Sequence, residues 1–162
     1  MIKITEAVSR HIMEVYEGNW SEINLQDVLA DIDYTEATEQ VPGFKNTIAS
    51  LVYHITFYNE IMVERLYGEW PEINSANGFD MDPVTNEEDW QILKMRNYES
   101  FAVLAGMVRK LKPERLGHPI IQGRDQTYKS LHGVVEHAFY HMGQIVLLKK
   151  LIIYNRQHGT GS

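Results

Sequence analysis

The sequence predicts an all-α fold, a four-helix bundle with long crossover connections. Three observations predict it. Four segments repeat apolar residues at the 3.6-residue period of a helix. No run alternates apolar and polar residues as a half-buried strand does. The connections between the first three segments are longer than those of tight up-down-up-down bundles. They therefore either cross over or cover one end of the bundle and wall a pocket. A length of 162 residues favours one domain, read as residues 1–157 with a flexible tail over 158–162.

The first helix is expected over Ile2 to Glu17, where Ile4, Val8, Ile12 and Val15 recur at helical spacing and Gly18 supplies a stop. The connector after it contains Leu25, Val28 and Leu29, a short helical piece, and then the break Pro42-Gly43. The second helix is expected from Asn46, a good N-cap residue, to Tyr67, with Gly68 after it. Its apolar stripe is Ile48, Leu51, Val52, Ile55, Tyr58, Met62 and Leu66. A loop rich in Pro, Gly, Asn and Asp leads to the third helix, Asn86 to Leu111. Thr85 and Glu88 fit a capping box there, and Pro113 fits a stop. The linker KPERLGHPIIQGRDQ has room for one extended piece. The fourth helix follows Thr127 and reaches Tyr154. Gly133 and Gly143 inside it are expected to permit close helix–helix approach.

Composition narrows the function. The chain is 44% apolar and 23% charged, so a folded domain is the expectation. A formal charge of −7 lacks the clustered Lys and Arg of a nucleic-acid footprint and does not suit anionic lipid. There is no cysteine, which removes disulfides, a cysteine nucleophile and Cys-ligated metals. The opening MIKITEAVSR has no signal-peptide core, and IVLLKKLII is split by two lysines. A soluble cytoplasmic protein, with no nucleic-acid or membrane partner, is the expectation.

The chemistry lies in the histidines. In the fourth helix, Val134, His137, His141, Gln144 and Leu148 share one stripe beside Leu131, Val135, Ala138, Met142 and Ile145. In the second helix His54 lines up with Leu51, Tyr58 and Ile61. Three imidazoles on two helices thus point to one interior. An i, i+4 pair can chelate an ion, and a third imidazole from a facing helix completes a set with positions left open, the catalytic pattern. Three hydrogen-bonded core histidines are the competing reading.

Other metal sites fail on spacing. Ala138 stands where a zincin has Glu. No Glu-x-x-His occurs, and DMDPVTNEEDW is no EF-hand loop. His11 has a small claim to the interior; His118, His132 and His158 have none. Tyr140, about 60° from His137 round the helix, can donate to a bound ligand or simply pack. Gln144, one turn past His141, suits a partner for its ring. Trp20, Trp70 and Trp90 lie at or near connectors, where they line a pocket mouth or, more commonly, seal the bundle ends.

LADIDYTEATEQVPGFKNTIASLVYHITFYNEIMVERLYG, followed by LHGVVEHAFYHMGQIVLLKK, resembles the DinB/YfiT-like superfamily over most of the chain. The most specific part is Gly133, His137, Tyr140, His141, Gly143 and Gln144 in one helix with His54 in another. The resemblance implies a bundle of unusual connectivity that holds one divalent ion (Zn, Ni or Fe) on His54, His137 and His141, often as a homodimer. It does not imply one reaction. Its branches include thiol-dependent S-transferases, thiol-dependent isomerases and members labelled only as metal-dependent hydrolases.

The expected function is therefore metal-dependent S-transfer from an external low-molecular-weight thiol to a small electrophile. A metal-dependent hydrolase and a non-catalytic metal- or ligand-binding bundle are the alternatives. Hydrolysis usually wants a nearby general base. No carboxylate lies on the histidine stripes, although Asp80, Asp82 or Asp125 in the loops can supply one.

Overall fold

The computed structural model describes residues 2–18 and 20–159. It contains helices α1 (Ile4–Glu17), α2 (Leu25–Leu29), α3 (Tyr34–Thr38), α4 (Ile48–Leu66), α5 (Glu87–Lys110) and α6 (Thr127–His158). A 3₁₀ turn spans Pro113–Gly117. Among the described residues there is no strand, only an isolated bridge between Pro119 and Gln126 where one extended piece was expected. The fold is all-α.

The four long helices α1, α4, α5 and α6 close a ring. α1 packs on α5, α5 on α4, α4 on α6, and α6 returns to α1. The links from α1 to α4 and from α5 to α6 therefore run between helices that are not principal neighbours. The long α4–α5 link joins neighbours and serves as a wall instead. The centre holds Ile12, Leu25, Ile48, Leu51, Trp90, Phe101, Leu104, Leu131 and Ile145, all essentially without solvent contact.

The first connection is tied down at both ends. α3 opens on a capping box: the Asp33 side chain accepts from the Glu36 amide, and Glu36 reaches back to the Asp33 amide. The indole N–H of buried Trp90 donates to the Ile32 carbonyl at 2.7 Å. Arg156 pairs with Glu36 and Glu39, and Lys149 with Asp31. These contacts give the end of α6 something to hold, and the helix continues past the expected Tyr154 to His158. Residues 160–162 of the expected tail lie outside the described residues.

Two caps differ from expectation by one residue. α4 is capped by Thr47, not Asn46, because Ser50 three residues on completes a reciprocal pair with it. α5 is capped by Asn86, whose side chain accepts from the Asp89 amide at 3.0 Å. Thr85 bonds the Asp89 carboxylate rather than Glu88.

The glycines of α6 are a further correction. A Cβ placed at Gly133 or Gly143 meets nothing within 4 Å, so neither admits a neighbouring helix of this chain. The tryptophans divide as well. Trp90 is buried, Trp20 is 99% exposed, and Trp70 is 39% exposed.

Candidate metal centre

α4 and α6 bring His54, His137 and His141 together. His54 and His141 are buried and His137 is partly buried. The Nε2 atom of His137 lies 3.1 Å from Nε2 of His54 and 3.1 Å from Nε2 of His141. One nitrogen from each ring falls within 4.8 Å of the other two. The three rings meet edge-on or tilted, with centroids 4.5 to 4.9 Å apart.

Helix geometry explains the convergence. Residues four apart on α6 stand one above the other, and the α4–α6 contact sets His54 opposite them.

The donor set fits a divalent ion. Nitrogens this close together would be able to reach one ion at the usual zinc–imidazole distance of about 2.0–2.1 Å. Gln144 sets the tautomer of one ligand. Its Oε1 lies 2.7 Å from Nδ1 of His141 and can only accept, so His141 carries its proton on Nδ1 and turns the Nε2 lone pair inward.

The electrostatics keep the rings neutral, the form that binds metals. Burial and then the charges of His141 and His54 push His137 down to about 4. Burial, then His141, lowers His54. Burial lowers His141, and the Gln144 hydrogen bond partly opposes it. Nδ1 of His54 is buried without a hydrogen-bond partner among the described residues, although the backbone of Asn77 and Gly78 runs beside the ring.

The α4–α5 loop supplies the roof. Phe79 stacks on His54 with centroids 4.0 Å apart and planes 12° apart. It is delivered by two consecutive left-handed residues, Asn77 (φ 54°) and Gly78 (φ 73°). Gly78 is required twice over: its φ suits glycine, and a Cβ there would lie 2.4 Å from the Phe57 ring. Tyr58 sets its ring against His54 and His137 and donates its hydroxyl to Asn77 Oδ1 at 2.5 Å. The sequence aligns Tyr58 with His54 but gives it no role at the site, and it does not single out Phe79. The N-G pair before Phe79 is the only signal of the turn.

The remaining candidates lie elsewhere. Tyr140 is 65% exposed, with its ring centroid 4.9 Å from that of His141 and the two planes 71° apart. His11 is exposed, paired with Glu14 and loosely stacked with His132. His132 pairs with Glu136. His118 is an exposed loop residue, and its carbonyl accepts from Thr127. His158 ends α6, stacked on Tyr154. Asp80 accepts from Asn74 and Asp125 pairs with Lys129. Asp82 lines a cavity of about 240 Å³ with Tyr53, Val84 and Arg96, separate from the three histidines.

Among the described residues no helix is long and apolar enough to cross a membrane. Residues 19–145, which include all three histidines, match the model of a protein family described as the DinB superfamily. No curated protein and no solved structure matches the chain.

Proposed function

From the premise that the chain belongs to the DinB superfamily, we propose that it is a metal-dependent enzyme. In this reading it binds one divalent ion (Zn, Ni or Fe) on His54, His137 and His141 and transfers an external low-molecular-weight thiol to a small electrophile. The observation that carries the reading is the meeting of three imidazole nitrogens, two pairs of them 3.1 Å apart. An ion bound there supplies Lewis acidity, which lowers the pKa of a bound thiol or water.

The chain's own residues do the rest. Gln144 fixes the proton of His141 on Nδ1. Phe79 shields one face of His54, and Tyr58 packs against both His54 and His137. Tyr140 is exposed beside His141. Three protein ligands leave room for an entering molecule.

Thiol transfer is favoured over hydrolysis by the absence of a carboxylate from the histidine cluster among the described residues. Of the three loop carboxylates named from the sequence, Asp80 and Asp125 are engaged with Asn74 and Lys129, and Asp82 lines a separate cavity. A cysteine-free chain also cannot be alkylated at a thiol by its own electrophilic substrate.

The test is metal uptake by chelator-treated protein, followed by thiol consumption with a panel of electrophiles. One equivalent of Zn²⁺, Ni²⁺ or Fe²⁺ is expected to bind, and His54→Ala, His137→Ala and His141→Ala should each abolish tight binding. Protein that takes up none of these ions contradicts the metal reading. Metal binding without turnover supports the non-catalytic alternative. Ester or amide cleavage without thiol supports the hydrolase.

A homodimer belongs to the same proposal. Tyr140, Leu147 and Tyr154 form an exposed stripe on α6 at seven-residue spacing, available to a second copy. Light scattering at working concentration decides it.

A further inference from the structure

Arg65 stands on the face of α4 that carries the histidine site. His54, Tyr58, Ile61 and Arg65 follow one another along a single stripe of that helix. A long helical side chain leans back over the preceding turn, here the turn that carries Tyr58 and Ile61. The guanidinium carbon of Arg65 lies 4.3 Å from the ring centroid of Trp70. That of Arg124, from the loop before α6, lies 5.0 Å from the same centroid.

Two cations thus rest on one half-open indole. Neither forms an ion pair with a carboxylate among the described residues. Acid is not scarce in this chain, with 22 Asp and Glu against 15 Lys and Arg. The Nε of Arg65 is also buried without a partner. Burial first, and then the charge of Arg124, weigh against the Arg65 cation. An oxyanion would relieve both effects, and the planar fork of arginine matches carboxylate and phosphate oxygens in pairs.

We propose that Arg65 and Arg124, gathered on Trp70, bind a carboxylate or phosphate group of the small molecule whose reactive end reaches His54, His137 and His141. The second half of this statement rests on the proposed function; the anion site itself does not. Eleven residues along α4 give a rise of about 16 Å. Arg65 and His54 both lean toward the N-terminus of the helix and so keep much of that separation, which makes the ligand an elongated molecule.

Inorganic phosphate and metal-free protein test the site without the metal. In ¹⁵N spectra the Trp70 indole signal should move saturably with phosphate while those of exposed Trp20 and buried Trp90 stay still. Arg124→Gln, a change at an exposed loop residue that folding tolerates, should weaken the response about tenfold or more. Arg65→Gln combined with Arg124→Gln should remove it. An unmoved Trp70 signal, or Arg124→Gln protein that binds phosphate as tightly as wild type, overturns the site.

Metal-loaded protein tests the link to the histidines, with reduced glutathione and its diethyl ester as probes. The free acid should bind the wild type about tenfold more tightly than the ester, and the double variant should bind both alike. Equal binding to the wild type overturns the link. Phosphate binding in a protein that takes up no metal supports the anion site and contradicts the metal reading, so the two failures are distinct.

Discussion

The Nδ1–H of His141 donates to Oε1 of Gln144 at 2.7 Å, while Nε2 of the same ring faces His137 at 3.1 Å. One hydrogen bond therefore decides which nitrogen is free to coordinate. Gln144→Leu removes the acceptor and frees the ring to change tautomer. It is expected to weaken metal affinity roughly 10- to 100-fold. Gln144→Glu keeps an acceptor in place and should hold affinity near or above that of wild type. Competition against a chelator of known strength measures both. Equal affinities for the Leu variant and the wild type would show that packing alone orients the ring.

Acid should unfold the metal-free protein through the same three rings. A histidine whose pKa is lowered in the folded state takes up its proton more readily when unfolded. Its contribution is therefore fully present above the ordinary value of 6.5 and is lost as pH falls toward the folded value. For His137 that window runs from 6.5 down to about 4. His54 and His141 shift in the same direction. His137 alone accounts for at most about 3 kcal/mol across the window, and for less where solvent reaches its partly buried ring. Urea midpoints at pH 7, 6, 5 and 4 should fall steadily, and His137→Phe should flatten the slope. An unchanged slope in that variant would place the acid sensitivity elsewhere.

A buried polar chain between α4 and α5 gives a sharper test of packing. Asn97, without solvent contact, donates through Nδ2 to Thr56 Oγ1 at 2.9 Å. Its carbonyl accepts from Ser100 Oγ, which accepts in turn from Asn59. The Oδ1 of Asn97 has no partner among the described residues, and Thr56 already donates to the Val52 carbonyl. Asn97→Leu therefore removes an unsatisfied acceptor and leaves no new orphan donor; it should change stability by less than about 1 kcal/mol. Asn97→Asp buries a carboxylate in the same place and should cost about 3 kcal/mol or more. Urea unfolding at neutral pH separates the two, and a large loss in the Leu variant would refute this account.

What was legible in the sequence was whatever repeats with the helix. The register of His137, His141 and Gln144 is a matter of four and three residues on one helix. The stripe of Leu51, His54 and Tyr58 already faced the interior. The roof over His54 was not legible, because Phe79 arrives through two left-handed loop residues and loops have no period. The partnership of Arg65 with Trp70 and Arg124 was hidden for the same reason. The helix α3 was visible in principle: Asp33 and Glu36 form a capping box, but only five residues follow it before the chain extends. The caps of α4 and α5 slipped by one residue because runs such as Asn46-Thr47 and Thr85-Asn86 each offer two acceptable cap side chains. Only the observed hydrogen bonds choose between them.

The two glycines of α6 separate stability from ligand space. Each sits inside a helix with open room at the missing Cβ, so alanine at either position should stabilise the protein by about 0.8–1.0 kcal/mol through helix propensity. Their faces differ. Gly143 is exposed and lies two residues past His141, turned away from the site. Gly143→Ala should therefore raise the thermal midpoint and leave metal and ligand affinity unchanged. Gly133 lies one turn before His137 on nearly the same face. Gly133→Ala should give a similar rise in midpoint and unchanged metal affinity, yet weaken binding of a thiol to the metal-loaded protein, because its methyl group enters the space ahead of His137. Calorimetry of the metal-free protein, and then thiol titration of the loaded one, measures both. A Gly133→Ala variant that binds thiol as the wild type does would mean that ligands approach His137 from another side.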